Sequence, residues 1–485
     1  MKILFVYTLD NIQSIHKPLK SWSGLQFGIS YISSVLKADG HQTELLVLGS
    51  NYSKKSVQLT RQYIERFGPQ LICFTAVSSQ YGFIEKLAQF IQGQWPDIYL
   101  ILGGVHATLV PDKVIAGPVD AICIGEGEYP VVELCRQLEG SESPHGIPNL
   151  WIKSNDGAVE KNPPRSFIAN LESLPFPDRE MWKPWLSEQL DDEMTILGGR
   201  GCPYKCTYCS NHALSRVAPG KYVRMRSPVN ILEEVKFLYD NFSQQRSISF
   251  EVETIASNKK WAIELCEQLA KFVATVPEPV SFGTNYRIAH DSLDETLFES
   301  MKKANFNVIS IGLESGSERV RREILGRNYS NDDFLKAVSL ARKYGLQIYV
   351  YNMIGLPTET KDDHEKTILL NRLCQPEGHH TGIFYPYAGT EIYDVCVKLG
   401  LISQSLPQLM ERRQSALDLP NFSRSQIQSA YTWFNYHVYK GKKSIFKVLA
   451  MVMIVKINSN PLSMSLFRKI AQLPLIGFLR KRLGL

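Results

Sequence analysis

The stretch Gly198-Gly199-Arg200-Gly201-Cys202-Pro203-Tyr204-Lys205-Cys206-Thr207-Tyr208-Cys209-Ser210-Asn211 puts three thiols into one short loop, spaced C-x3-C-x2-C. No fourth cysteine lies close by. Iron–sulfur clusters are held by thiolates, four of them in a cubane. Three such ligands leave one iron open, and an open coordination position on a metal is where chemistry happens. The bland readings are a structural zinc knuckle short of its fourth ligand, or thiols that merely cluster. Gly201, Pro203 and Tyr208 around the cysteines weigh against both. Met194-Thr195-Ile196-Leu197 reads as a short strand leading into the loop, so the thiols are expected at a strand's carboxyl end.

Downstream, the periodicity predicts helices at 228–240, 258–273, 292–303, 331–344 and 362–374. Between them it predicts strands at 247–252, 279–283, 307–312, 347–354 and 381–386. With the strand before the cysteines, this is a run of alternating strands and helices, which implies a parallel sheet. Polar residues collect at the strand ends: Glu253, then Asn285 and Arg287, then Glu314 and Ser315, then Gly355 in Gly355-Leu356-Pro357. Taken singly, each carboxylate is also readable as a helix cap or an ion-pair partner.

Upstream, apolar runs at 2–7, 44–48, 71–77, 98–102 and 121–124 read as buried parallel strands. Helical patterns at about 25–39, 55–67, 81–94 and 128–139 alternate with them. Such an order implies a doubly wound sheet, whose ligands sit at the carboxyl ends of the strands. Those ends are small and polar here: Thr75, Ser78 and Ser79, then Gly103 and Gly104, then Gly125, Glu126 and Gly127. Glycine there lets a bulky ligand approach the backbone. There is no G-x-G-x-x-G after the first strand and no P-loop. Residues 141–193 are broken by Pro163-Pro164 and Pro175-Phe176-Pro177 and read as a linker, with one small hairpin around Asn155-Asp156-Gly157.

The cysteine loop, including Tyr208 before the last thiol, resembles the signature of the radical S-adenosylmethionine (SAM) superfamily. The alternating segments from 194 to 395 resemble that family's open (β/α)6 partial barrel. The resemblance implies a [4Fe–4S] cluster on Cys202, Cys206 and Cys209 and a SAM site that includes Tyr208, Glu253, Asn285, Arg287, Glu314, Ser315 and Gly355. Where relatives carry two aspartates on the second strand, this chain has Glu251-Val252-Glu253-Thr254. The first 140 residues resemble the Rossmann-like cobalamin-binding domain of many radical SAM enzymes, with Thr75, Ser78, Ser79, Gly103, Gly104, Gly125, Glu126 and Gly127 on the ligand side. That domain's D-x-H-x-x-G motif is absent, since His16 follows Asp10 by six residues. The resemblance therefore implies cobalamin held without a protein histidine below the cobalt, and His106 reads equally well as a hydrogen-bonded structural histidine.

The resulting expectation is an α/β chain with a cobalamin-binding domain (1–140), a linker (141–193), a radical SAM core (194–395) and a helical basic C-terminal region (396–485). The implied function is a cobalamin-dependent radical SAM methyltransferase acting on an unactivated carbon of a small-molecule or lipid-linked substrate. A flavodoxin or ferredoxin would serve as external electron donor. The alternatives are a cobalamin-assisted cyclase or rearrangement enzyme, a methylthiotransferase, and a non-catalytic sensor.

Composition adds bounds. The chain of 485 residues has room for two or three domains. Six of its nine cysteines (Cys73, Cys123, Cys135, Cys266, Cys374, Cys396) are scattered in apolar or helical contexts, a reduced, cytoplasmic pattern. The opening Met1–Tyr7 run is too short for a signal peptide. The net charge of +6 is an uneven average: from Leu419 on there are eleven Lys or Arg and no acid, which leaves residues 1–418 at about −5. Val448–Val455 is too short to span a bilayer. Basic residues beside Leu, Ile and Phe, at 440–443 and again at 466–482, suit a helix lying on anionic lipid; a helical cap with solvent-facing lysines is the alternative. No nucleic-acid recognition motif accompanies the charge.

Overall fold

The computed structural model describes residues 1–460 apart from 11, 13, 141–142, 155, 189–192, 243–245, 290–291 and 403–409. The basic segment expected at 466–482 lies outside the described residues. The chain forms two compact units. One comprises Met1–Lys205, Cys209–Glu253 and Lys260–Gly283; the other comprises Cys206–Tyr208, Thr254–Lys259 and the chain from Thr284 on.

The first unit is built on a seven-stranded sheet of β1 (Lys2–Leu9), β2 (Gln42–Gly49), β3 (Leu71–Thr75), β4 (Tyr99–Gly103), β5 (Ala121–Cys123), β6 (Leu150–Lys153) and β7 (Val159–Lys161). Its order is β2-β1-β3-β4-β5-β6-β7. The first five strands pair in parallel and the last two add antiparallel. The order turns back on itself at β1 and β3, the switch point where doubly wound sheets bind ligands. All five residues of β3 are buried, which is why this strand is a continuous apolar run instead of an alternating one. The hairpin read within the linker is real, and it extends this sheet: Cys123 of β5 faces Leu150 of β6.

β8 (Glu193–Leu197), the short β9 (Gly199–Arg200) and β10 (Arg224–Met225), β11 (Ser247–Glu251) and β12 (Ser281–Tyr286) follow. β8 and β11 pair in parallel, in register from Glu193 opposite Ser247. β9 and β10 form an antiparallel pair that sets Arg200 opposite Arg224.

The division between the units falls inside β12. The second unit continues with β13 (Phe306–Glu314), β14 (Gln347–Ile354) and β15 (Gly378–Ile383), paired in parallel. The six strands run in the open order β15-β14-β13-β12-β11-β8, so this is a parallel sheet and not a closed barrel. Helices Asn331–Lys343 and Lys361–Cys374 each begin with a reciprocal cap, Ser330 with Asp333 and Thr360 with Asp363. A core of Ile354, Leu356, Ile383, Phe384, Phe422, Phe434 and Val448 joins the sheet of this unit to the helices Arg424–Tyr439 and Ile445–Asn458.

Candidate active site

A cavity of about 350 Å³ opens in the first unit at the carboxyl ends of its sheet strands. Thr75, Gly103, Gly104, Gly125, Glu126 and Gly127 line it, and so do Gly199, Gly201, Asn211, Tyr222 and Glu253 from the cysteine-loop side. At Gly104 the glycine is necessary. Gly104 has φ +92°, and a Cβ there would sit 2.7 Å from the Thr75 hydroxyl oxygen and 3.0 Å from the Ala76 carbonyl. Ser78 and Ser79 open the helix Ser78–Gln94 and do not line the cavity.

His106 does not line the cavity either. It is buried in the short helix after Gly104, with Nδ1 3.2 Å from the Ser78 hydroxyl and its ring 4.6 Å from that of Tyr81. Burial pushes its pKa down to about 4, with Lys113 adding to the shift. Its Nδ1 thus has a hydroxyl partner, while Nε2 is buried with no hydrogen-bond partner among the described residues.

Glu126 lines the cavity, but its carboxylate is already engaged. Arg200 donates to it at 2.8 Å, Arg224 at 2.9 and 3.0 Å, and the Ile168 backbone N–H at 2.8 Å. Arg200 also meets Glu128 at 2.6 Å. Directly opposed residues of an antiparallel pair share a face, which is how two guanidiniums reach one carboxylate. The lattice fixes the segment just before Cys202 to the strand-end loop of the glycine-rich domain. Composition does not announce it, because Arg200 and Arg224 are 24 residues apart and belong to strands of two residues each.

Gly201 has φ +84°, and a Cβ there would approach the Tyr222 carbonyl oxygen to 2.4 Å. The turn into the first cysteine therefore requires glycine. Tyr222 donates to Asn211 at 2.6 Å, and its phenol pKa is raised by burial and then by Glu253, Cys209 and Cys202. None of the three cysteines is in a disulfide; Cys206 is buried and the other two are half-buried. Among the described residues no group of three or more His, Cys, Asp or Glu gathers tightly enough to hold a single metal ion. A cubane asks for something else: one thiolate per iron, and three cysteines of one loop that enter no disulfide have that donor chemistry.

In the second unit, Cys206 and Tyr208 lie with the fourth-strand end. Thr207 ties them there, its N–H donating to the Leu325 carbonyl at 3.2 Å and its hydroxyl to Ile324 at 2.5 Å. Glu314, at φ +63°, stands where the pairing of β13 with β14 shifts register. Its carboxylate meets Arg327 at 2.8 Å, and Arg327 also donates to the Tyr208 hydroxyl at 3.0 Å and the Gly312 carbonyl at 2.7 Å. Burial and then the Glu314 charge hold the Tyr208 phenol well above its usual pKa. Ser315 is fully buried and accepts from the Ser317 N–H. Gly355 donates its N–H to Glu359 at 2.6 Å. The Arg287 N–H donates to the Thr254 hydroxyl at 2.9 Å, and Asn285 lies on β12. Arg327 is absent from the sequence-based set because it lies 13 residues beyond its carboxylate, past an irregular helical turn at Val320–Ile324 that has no periodic signature.

The chain matches known protein families, curated proteins and solved structures. The radical SAM superfamily profile matches residues 196–370 and the B12 binding domain profile matches residues 24–135. An uncharacterized methyltransferase of Pyrococcus horikoshii is 26% identical over 432 residues, 88% of this chain and 90% of the relative. The anaerobic magnesium-protoporphyrin IX monomethyl ester cyclase of Rubrivivax gelatinosus is 24% identical over 373 residues, 75% of this chain and 65% of the cyclase. The structure of the radical SAM methyltransferase TsrM from Kitasatospora setae, with cobalamin and a [4Fe–4S] cluster bound, superposes with a TM-score of 0.63. It shares 15% identity and covers 83% of this chain and 79% of its own. At that identity the likeness is one of fold. With a B12-binding domain ahead of a radical SAM domain, the chain belongs to the cobalamin-binding branch of the radical SAM enzymes.

Proposed function

We propose that this enzyme transfers a methyl group to an unactivated carbon of a small-molecule or lipid-linked substrate. The observation that carries the reading is the cavity of about 350 Å³, because glycine-walled strand ends and the cysteine-loop segment line the same space. When bound, the cluster and SAM supply a 5′-deoxyadenosyl radical, and cobalamin supplies the transferable methyl group.

In this reading Cys202, Cys206 and Cys209 hold the cluster. Tyr208, Glu253, Asn285, Arg287, Glu314, Ser315 and Gly355 surround SAM, with Arg327 orienting Glu314 and Tyr208. Gly103, Gly104, Gly125 and Gly127 let the corrin approach the backbone. No histidine is among the described residues that line the cavity, which supports a reading in which cobalamin would be held there without one. The apolar walls Phe5, Phe74, Ile101 and Val131 exclude water, which a carbon radical requires of its site. The domain layout proposed is 1–140, 141–193, 194–395 and 396–485, with an electron donor of the flavodoxin or ferredoxin kind.

The test is anaerobic reconstitution of the full chain with iron, sulfide, cobalamin and SAM. Expected are a cobalamin absorbance spectrum after gel filtration, and 5′-deoxyadenosine on reduction. Label from methyl-labelled SAM in the product would establish methyl transfer. Product without label would favour the second reading, a cyclisation, which the cyclase relative motivates.

A further inference from the structure

The helix Ile445–Asn458 turns only part of its apolar surface inward. Val448 and Val452 are buried, while Phe446 is 80% exposed, and Ile445, Leu449 and Met453 are exposed with it. Phe446, Leu449 and Met453 follow one another at i, i+3 and i+7, so they stand on one face. Around that face Lys442, Lys447 and Lys456 are exposed, and none forms an ion pair among the described residues. A lone exposed leucine needs no explanation, but a contiguous apolar stripe ringed by cations does.

We propose that this face docks on an anionic lipid surface. Charge complementarity selects that occupant. Lys442, Lys447 and Lys456 put exposed cations beside the stripe, and the sequence from Leu419 to Leu485 contains no acidic residue. An apolar stripe flanked by lysines matches the boundary between acyl chains and headgroups, where Phe, Leu and Met enter the hydrocarbon edge and Lys stays with the anions. No helix among the described residues is long and apolar enough to cross a membrane, so the association is of the peripheral kind. The inference stands on this helix and the neighbouring Lys442 and does not depend on the reaction proposed above.

The experiment is flotation of the full-length protein with vesicles, either of phosphatidylcholine alone or of phosphatidylcholine and phosphatidylglycerol in equal parts. Two variants accompany it, Phe446→Ser/Met453→Ser and Lys442→Gln/Lys447→Gln/Lys456→Gln, with circular dichroism melting curves as the folding control. Wild type should float with the anionic vesicles only. At low salt each lysine is worth about fivefold, so the triple variant should bind on the order of 100-fold more weakly. The double variant should lose binding while melting like wild type.

Equal flotation with neutral vesicles, or variants that bind as well as wild type, would overturn the proposal. The second outcome would assign binding to residues beyond 460. Failure to float, combined with capture of an acidic flavodoxin that the variants lose, would make the face a protein-docking site instead.

Discussion

Arg327 and Glu314 meet at 2.8 Å where both side chains are nearly removed from solvent, and the nitrogen that makes this contact also donates to the Tyr208 hydroxyl. One planar donor thus binds the fourth-strand carboxylate to the aromatic residue of the cysteine loop. Removing one partner of such a pair leaves a buried charge uncompensated, which costs about 3–5 kcal/mol. Arg327→Met should therefore lower unfolding stability by that order in urea titrations and abolish 5′-deoxyadenosine formation. Arg327→Lys keeps the charge but not the fork and should fall between. Wild-type stability in Arg327→Met would mean that the pair does not form.

Gly104 and Gly103 are adjacent and should respond differently. Alanine at 104 faces both a φ of +92° and a 2.7 Å approach to Thr75, whereas at 103 its nearest neighbour would be Cys123 Cβ at 3.6 Å, an ordinary contact. Gly104→Ala should cost about 1–3 kcal/mol and prevent cobalamin retention. Gly103→Ala should melt like wild type, so any loss of cobalamin from it reports the cavity wall alone. Differential scanning fluorimetry, followed by the absorbance spectrum after gel filtration, reads both.

Cys206 is buried while its thiol serves no disulfide, so its replacement by alanine removes a proposed cluster ligand with little loss of packing. Cys206→Ala should bring iron content after reconstitution to background and eliminate 5′-deoxyadenosine, yet retain cobalamin, since the residue does not line the cavity. Iron content equal to wild type would remove Cys206 from the ligand set.

The periodic parts of the chain were legible because burial dictates them. A strand covered on both faces must be apolar throughout, as Leu71–Thr75 is, and helices such as Asn331–Lys343 announce themselves by capping residues. The cysteines were legible by their spacing, and glycines such as Gly104 and Gly201 because their dihedrals and close neighbours exclude other residues. The arginines were not. Arg200, Arg224 and Arg327 act through carboxylates that the tertiary fold alone brings to them, and a guanidinium bound for a buried ion pair reads in sequence like one bound for solvent. Glu126 shows the consequence: its place among the glycines suggested a ligand contact, and its oxygens belong to Arg200, Arg224 and Ile168.

Glu359 gives the fold a pH dependence of unusual sign. Its Oε2 accepts from the N–H groups of Gly355 and Leu356 at 2.6 and 3.1 Å, while Oε1 is buried with no hydrogen-bond partner. Burial pushes the carboxyl up to about 8, against the pull of the two backbone donors. The unfolded chain releases this proton near pH 4.5, whereas the folded chain keeps it to about pH 8. The folded state thus binds more protons across that window, so stability from this group is full below pH 4.5 and declines as pH rises toward 8. Glu359→Gln retains an acceptor for both N–H groups and cannot ionise, so it should gain on wild type as pH increases, by an amount on the order of kcal/mol. Glu359→Ala leaves two buried donors unmet and should lose about 2 kcal/mol or more at every pH. Urea titrations at about pH 5 and about pH 9 distinguish the cases, and parallel stability curves for wild type and the Gln variant would show that Glu359 is ionised in the folded protein.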